Sequence, residues 1–459
     1  MAEGKPQALE GLRVLDFTWV YAGPFATRQL VDLGAQVIKI EPPGYGALER
    51  RYAHIVERNG VKQSSYSVFL NRGKKSLSID LKKEKGLAII KELIKHSDIM
   101  ISNMAPNTMN NLGLAYEDAR KINPKIIYCT ISCFGQYGTY ANEPGFDLIA
   151  QAASAWCGQT DPPTPAPLAI GDSNAAMHAT TAILAALYYR EKNGIGQNID
   201  ISMTDCLFHS HENNPPGYLF SGRKIPALPN TRVATSYSPY GLIEGRDGFI
   251  AIAALSDILW EKLVKAMGNE YQWLLTDSRT SELTTRMTYE SAPLVHSVLG
   301  EWVQTFKSVQ EVEDILRAAG VPAMRVKRFE EIVDAPYIRE REMVVKMKQP
   351  FAGEIEIYGS PFKMSETPGR ITGYAPLMGE NAREVLSSIL GYDNEEIERL
   401  FSEGVIDKEE AVDKLAEELG HLYDSQQALY QLEMHRLVGI NQKSQHSYHS
   451  NLLFSQASA

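Results

Sequence analysis

Through the first two hundred residues, short apolar runs alternate with longer segments in which apolar positions recur every three or four residues. Residues 13–17 (Arg-Val-Leu-Asp-Phe) predict a short strand. Ala22-Gly23-Pro24 then opens a helix with proline near its first position, and that helix ends near Gly34. Further strands are predicted at 37–40, 98–102, 126–132 and 198–202. Helical spacing occupies 86–96, 116–122, 147–157 and 173–192. Strand–helix alternation with short links calls for right-handed crossovers, so the pattern predicts an α/β fold with a mainly parallel sheet covered by helices on both faces.

The pattern changes at 213–229, where Pro215, Pro216, Gly217, Gly222, Pro226 and Pro229 predict a long loop or linker. After it, 240–254 alternates around Arg246-Asp247-Gly248, a hairpin signal, and helical segments run to about Ala319. A helix near Glu330 and a strand at 354–358 form a third stretch, and the chain ends in an acidic helix pair and a polar, Gln/Ser/His-rich tail. There is no internal repeat. The predicted division is therefore a large unit over 1–217, a linker over 218–239, a small α+β unit over 240–319, a return to the large unit over 320–404, and an acidic extension over 405–459.

Composition narrows the functional classes. With 459 residues, 44% apolar and 22% charged, the chain is neither disordered, collagenous nor a coiled coil, and it is long enough for two or three domains. No apolar stretch approaches the roughly 20 residues of a membrane helix. The N-terminus has no signal-peptide apolar region, and Cys129, Cys133, Cys157 and Cys206 fit no zinc or redox spacing. These features predict a cytoplasmic protein with no membrane partner. The net charge of −10 is uneven: 393–418 holds 11 acidic residues against Arg399, Lys408 and Lys414, leaving −2 for the rest. A phosphate-bearing ligand is compatible with that nearly neutral body; nucleic acid is not, for want of a concentrated basic surface.

Candidate chemistry is sparse. Asn71-Arg-Gly-Lys-Lys-Ser76 lacks the earlier glycine of a phosphate-binding P-loop, and Gly44-Tyr-Gly46 lacks the third glycine of a dinucleotide fingerprint. Arg72, Lys74 and Lys75 still place three cations in four residues, either as a solvated loop or as a phosphate contact. His209 and His211 lie on different faces of a strand or helix, so no metal centre is predicted there. No nucleophile elbow is present. Asp172, at the start of the helix over 173–192, is on physical grounds most simply an N-cap. The same position also holds an ionised carboxylate beside helix-terminal amides, as a carboxylate nucleophile requires.

At this point the sequence resembles the class III CoA-transferases, the family of formyl-CoA:oxalate and carnitine CoA-transferases. The resemblance is carried by Leu9-Glu-Gly-Leu-Arg-Val-Leu-Asp-Phe17, Ala22-Gly-Pro24, Leu33-Gly-Ala-Gln-Val-Ile-Lys-Ile-Glu41 and Lys75-Ser-Leu-Ser-Ile-Asp-Leu-Lys82. It continues through Gly171-Asp172-Ser-Asn, Gly320-Val-Pro-Ala323, Gly359-Ser-Pro-Phe-Lys363 and Ala375-Pro-Leu-Met-Gly-Glu380. It implies a Rossmann-like large domain completed by the C-terminal part, a smaller α+β domain, and two ring-like subunits interlocked as a homodimer or as a heterodimer with a related subunit. It implies no resident cofactor or metal: coenzyme A and its acyl thioesters are substrates, exchanged with a carboxylic acid.

The resemblance makes Asp172 the nucleophile, working through mixed-anhydride and aspartyl-CoA thioester intermediates. It places CoA against Tyr21 and Ala22, against Ile79, Asp80, Leu81 and Lys82, and against Asn103, Met104 and Ala105, with Gly145, Phe146 and Asp147 beside the thioester. Basic residues that the family carries are Pro42 and Asn111 here, which leaves Arg72, Lys74, Lys75 and Lys82 as the nearest cations for phosphate. Succinyl-CoA as donor and an aromatic or dicarboxylic acid such as benzylsuccinate as acceptor fit the family. The alternatives are a non-catalytic partner subunit and a 2-methylacyl-CoA racemase. A racemase needs a histidine where this chain has Phe146.

Overall fold

The computed structural model describes residues 4–212, 214–222, 228–229, 238–288, 290–415 and 418–419. Its centre is a sheet of six parallel strands: β1 (Arg13–Phe17), β2 (Gln36–Glu41), β3 (Lys75–Ile79), β4 (Ile99–Ser102), β5 (Ile127–Ser132) and β6 (Asn198–Ser202). They lie in the order 3-2-1-4-5-6. That is the order of doubly wound nucleotide-binding sheets, with its reversal between β1 and β4. The helices that matter for the site are α1 (Ala22–Asp32), α2 (Ser65–Asn71), α3 (Glu84–Lys95), α4 (Tyr116–Ile122), α5 (Asp147–Ala153), α6 (Ile170–Asn193) and α7 (Met203–His209).

The near-continuous apolar strands follow from burial on both faces. Val14, Val37, Ile99 and Ile127 pack on one side with Leu30 of α1 and Ala176, Ala179 and Ile183 of α6. Their sequence neighbours Leu15, Ile38, Met100 and Tyr128 point the other way, onto Ile90 and Leu93 of α3 and Ala119 of α4. Each fully buried aliphatic side chain contributes about 1.5–3 kcal/mol to this sandwich.

The expected loop at 213–229 contains instead a short helix, α8 (Asn214–Ser221). Pro215 and Pro216 fall in its first turn, where a missing N–H is harmless. The expected hairpin forms β7 (Tyr240–Glu244) and β8 (Phe249–Ala253), and β9 (Ala323–Arg325) pairs with β8. Helices Asp257–Met267, Ala292–Gln304 and Val309–Ala318 cover this sheet around Trp260, Leu299 and Leu316. β9 thus lies with the small sheet although it follows the boundary expected at Ala319. A separate hairpin, β10 (Val344–Gln349) and β11 (Gly353–Tyr358), follows.

The chain then returns to the large sheet. β12 (Ile406–Asp407) pairs antiparallel with Ile79 and Ser78 of β3 and closes that edge. The acidic extension therefore begins inside the sheet, and most of the remaining tail lies outside the described residues. The strand β3 is the main element that periodicity does not predict. Lys-Ser-Leu-Ser-Ile alternates serine with apolar residues, yet Ser76 and Ser78 are fully buried. The Ser76 hydroxyl donates to Glu41 and accepts from the Gly379 amide.

Candidate active site

A parallel sheet gathers its functional residues at the carboxyl ends of its strands, and the crevice opens where strand order reverses. Here that crevice lies between the segment after β1, which carries Tyr21 and Ala22, and the segment after β4, which carries Asn103, Met104 and Ala105. The two are tied directly. The Trp19 amide donates to Asn103 Oδ1 at 2.8 Å, and Asn103 Nδ2 donates to the Trp19 carbonyl at 2.8 Å. The Ile79–Lys82 stretch leaves β3 on the same edge, with Lys82 exposed and without an ion pair among the described residues. A polar cavity of about 140 Å³ opens beside Met104 and Ala105, lined by uncharged groups including Asn110, Thr130 and Gln136.

α6 precedes β6, so its N-terminus comes to this same carboxyl edge. The helix begins at Ile170, two residues before Asp172, and its N-cap is Ala169. Asp172 is therefore not the N-cap. The capping carboxylate comes from α5: Asp147 Oδ1 accepts from the Gly171 amide at 2.6 Å and the Asp172 amide at 3.3 Å. Asp147 Oδ2 accepts from Gln151 at 2.7 Å. The Asp172 carboxylate, released from that duty, has no hydrogen-bond partner among the described residues. Burial, and then the neighbouring Asp147 charge, raise its pKa to about 7. Gly145 allows this approach, because a Cβ there would overlap Cys133, whose thiol burial also raises. Phe146 is exposed, with 69% of its surface free.

Two residues that sequence reasoning missed lie close enough to Asp172 to feel its charge. Tyr21, Tyr66 and Tyr52 form an aromatic row, with ring centroids 5.8 Å and 5.1 Å apart. Burial raises both Tyr52 and Tyr66, Tyr52 to about 12, and the Asp172 charge adds to the shift in each. Tyr66 sits on α2 and Tyr52 in the irregular segment before it. Neither belongs to a motif, so the only sequence signal is a tyrosine beside the Arg72 cluster.

Two of the three cations of that cluster are buried. Arg72 is buried and pairs with Asp32 at the end of α1. Lys74 Nζ is buried 3.0 Å from Asp16 and donates to Asn71 Oδ1 at 2.9 Å; burial lowers its pKa to about 8. Lys75 pairs with Glu384. Each cation is drawn to a carboxylate in the fold, so Arg72 or Lys74 would have to leave a buried ion pair to meet a phosphate. The histidines also diverge: His211 Nε2 lies 2.9 Å from the Ser154 carbonyl, whereas His209 stacks edge-on against His178. Among the described residues no three His, Cys, Asp or Glu side chains converge as a metal site.

Comparison with known proteins gives this geometry its context. Residues 9–382 match CoA-transferase family III. The chain is 35% identical over 390 residues to succinyl-CoA:mesaconate CoA-transferase of Haloarcula hispanica, covering 83% of this chain and 96% of that one. It is 31% identical over 407 residues to succinyl-CoA–D-citramalate CoA-transferase of Chloroflexus aurantiacus, covering 87% of this chain and 98% of that one. Among solved structures, a CaiB/BaiF family protein from Brucella suis superposes with a TM-score of 0.72 at 27% identity, over 84% of this chain and all of that one. The chain is a CoA-transferase and belongs to CoA-transferase family III.

Proposed function

We propose that the protein moves CoA from succinyl-CoA to a dicarboxylic acid, with Asp172 as the covalent nucleophile. One observation carries the reading: a half-buried carboxylate, free of hydrogen bonds among the described residues, stands at the helix terminus beside the switch-point crevice. A carboxylate of raised pKa is poorly solvated and correspondingly more nucleophilic. Its oxygen attacks the acyl thioester carbonyl, forming a mixed anhydride and expelling CoA thiolate. The thiolate then attacks the Asp172 carbonyl, releasing the donor carboxylate and leaving an aspartyl-CoA thioester. The acceptor carboxylate attacks that thioester, and returning thiolate takes the new acyl group, freeing Asp172. Thioester is exchanged for thioester, so the cycle needs no nucleotide hydrolysis.

In this reading CoA lies across the crevice, against Tyr21 and Ala22, the Ile79–Lys82 stretch, and Asn103, Met104 and Ala105. Lys82 is the open cation for phosphate. Gly145, Phe146 and Asp147 border the thioester, and Tyr52 and Tyr66 border the acyl group. The named acceptors of both curated relatives, mesaconate and D-citramalate, are dicarboxylic acids, which supports that class here. We also propose that two copies form the interlocked dimer. Met177, Leu184 and Tyr188 follow helical spacing along the outer face of α6 and are exposed, an apolar stripe suited to a second copy.

The test is substitution at Asp172 with succinyl-CoA, a panel of dicarboxylic acids that includes benzylsuccinate, and mass detection of new thioesters. Asp172→Asn should remove transfer by several orders of magnitude while CoA still binds. Hydroxylamine trapping in the wild type should mark the peptide that contains Gly171-Asp172-Ser173. An active Asp172→Asn protein free of deamidation refutes the mechanism.

A further inference from the structure

The turn between β1 and α1 carries an anomaly. Val20 has φ +68°, a left-handed conformation that a β-branched residue adopts only under constraint. The turn's three amides are all held by side chains: Thr18 N–H by Asp16 at 3.0 Å, Trp19 N–H by Asn103 at 2.8 Å, and Val20 N–H by Glu49 at 3.0 Å. The Thr18 carbonyl accepts from Lys39 Nζ at 2.7 Å. Gly23 lets α1 close on this turn, since a Cβ there would overlap Thr18. The next residue, Tyr21, begins the aromatic row whose Tyr66 and Tyr52 lie within the field of the Asp172 charge.

Glu49 is the unusual member of this set. Its carboxylate is fully buried, 2.8 Å from Lys39 Nζ, which is also fully buried. It additionally accepts from Asn71 Nδ2 at 3.3 Å. A buried ion pair is a poor source of stability, because desolvation of both charges offsets their attraction, and an apolar pair of similar size commonly serves as well. What an apolar pair cannot do is accept the Val20 amide proton.

We propose that Glu49, neutralised by Lys39, is a positioning residue: it holds the strained Val20 peptide so that Tyr21 and the Tyr66–Tyr52 row stand against the acyl group at Asp172. This rests on the reading of Asp172 as nucleophile. It assigns Glu49 no contact with substrate. The strain is localised at one residue, so the proposal makes a specific demand: glycine at position 20, which adopts positive φ freely, should lessen the need for Glu49.

The experiment compares two paired replacements, each free of an unpaired buried charge. Lys39→Met/Glu49→Gln retains an acceptor for Val20; Lys39→Met/Glu49→Leu does not. Single-turnover acylation of Asp172 from succinyl-CoA, trapped with hydroxylamine, should fall about 100-fold in the Leu pair, the size of effect that a small misplacement of reacting groups produces. The Gln pair should recover at least tenfold of that loss, and adding Val20→Gly to the Leu pair should do the same. If the Leu pair does not fold, Glu49→Asp replaces it: the charge stays but its reach to Val20 shortens, and a drop of at least tenfold, restored by Val20→Gly, is expected. Acylation at the wild-type rate in the Leu pair, or in Glu49→Asp, overturns the proposal. So does a loss that neither Gln nor Val20→Gly relieves. The wild type and Asp172→Asn, run alongside, report separately on the nucleophile: acylation absent from the wild type, or present in Asp172→Asn, overturns that reading and not the comparison of turn variants by CoA affinity, which should follow the same order.

Discussion

Asp172 holds its proton more tightly in the folded protein than an aspartate does in an unfolded chain, because burial first and the Asp147 charge second disfavour its ionised form. Its contribution to stability is therefore fully retained below the ordinary carboxylate pKa and is lost as pH rises through about 7. Asp172→Asn has no such titration. The two proteins should unfold alike in urea at pH 4, and the Asn variant should be more stable by about 2–4 kcal/mol at pH 8. Transfer should show the opposite dependence, with kcat/KM rising with pH through about 7 as the attacking carboxylate ionises. A profile flat from pH 5.5 to 8.5 would exclude Asp172 as the titrating group. The carboxylate was legible in the sequence because Gly171-Asp172 begins a long helix after a proline-rich loop. Its freedom from capping was not, since Asp147 reaches the helix terminus from 25 residues away in sequence.

Between elements, the same three-dimensional accounting separates cations that fold the protein from one that is open to a ligand. Arg72, just after α2, clamps Asp32 at the end of α1, so Arg72→Ala leaves a carboxylate buried and unpaired. It should cost about 3–5 kcal/mol of stability in denaturant melts. Lys82→Ala should leave the melt unchanged and weaken CoA binding several-fold, an effect that fades in high salt. Equal stability of the two variants would contradict this division. Strands with apolar residues on both faces, such as β1, β4 and β5, were readable from pattern alone, as were α1, α3 and α4, whereas α2 was not. β3 was not, because its serines are buried polar residues and the Ser76 hydroxyl finds its partners only in Glu41 and Gly379 from elsewhere in the chain. β12 was hidden for a related reason: two residues give no periodicity, and pairing with β3 defines them.

At the scale of the whole molecule, the exposed stripe of Met177, Leu184 and Tyr188 on α6 leads to an assembly prediction. If two ring-like copies interlock, they separate only when one opens, so the protein should sediment as a dimer even at nanomolar concentration. A monomer there would leave the stripe to another partner. The closure of the large sheet by β12 has a consequence of its own. About 330 residues separate Ile79 from Ile406, so β3 leaves the ribosome long before the strand that covers it. At synthesis rates of roughly 5–20 residues per second, its open edge waits on the order of 15–65 s, time enough for pairing with another nascent chain. Slowing translation should therefore raise the aggregated fraction of the newborn chain, and a late stretch of the chain decides whether the first domain begun is safe.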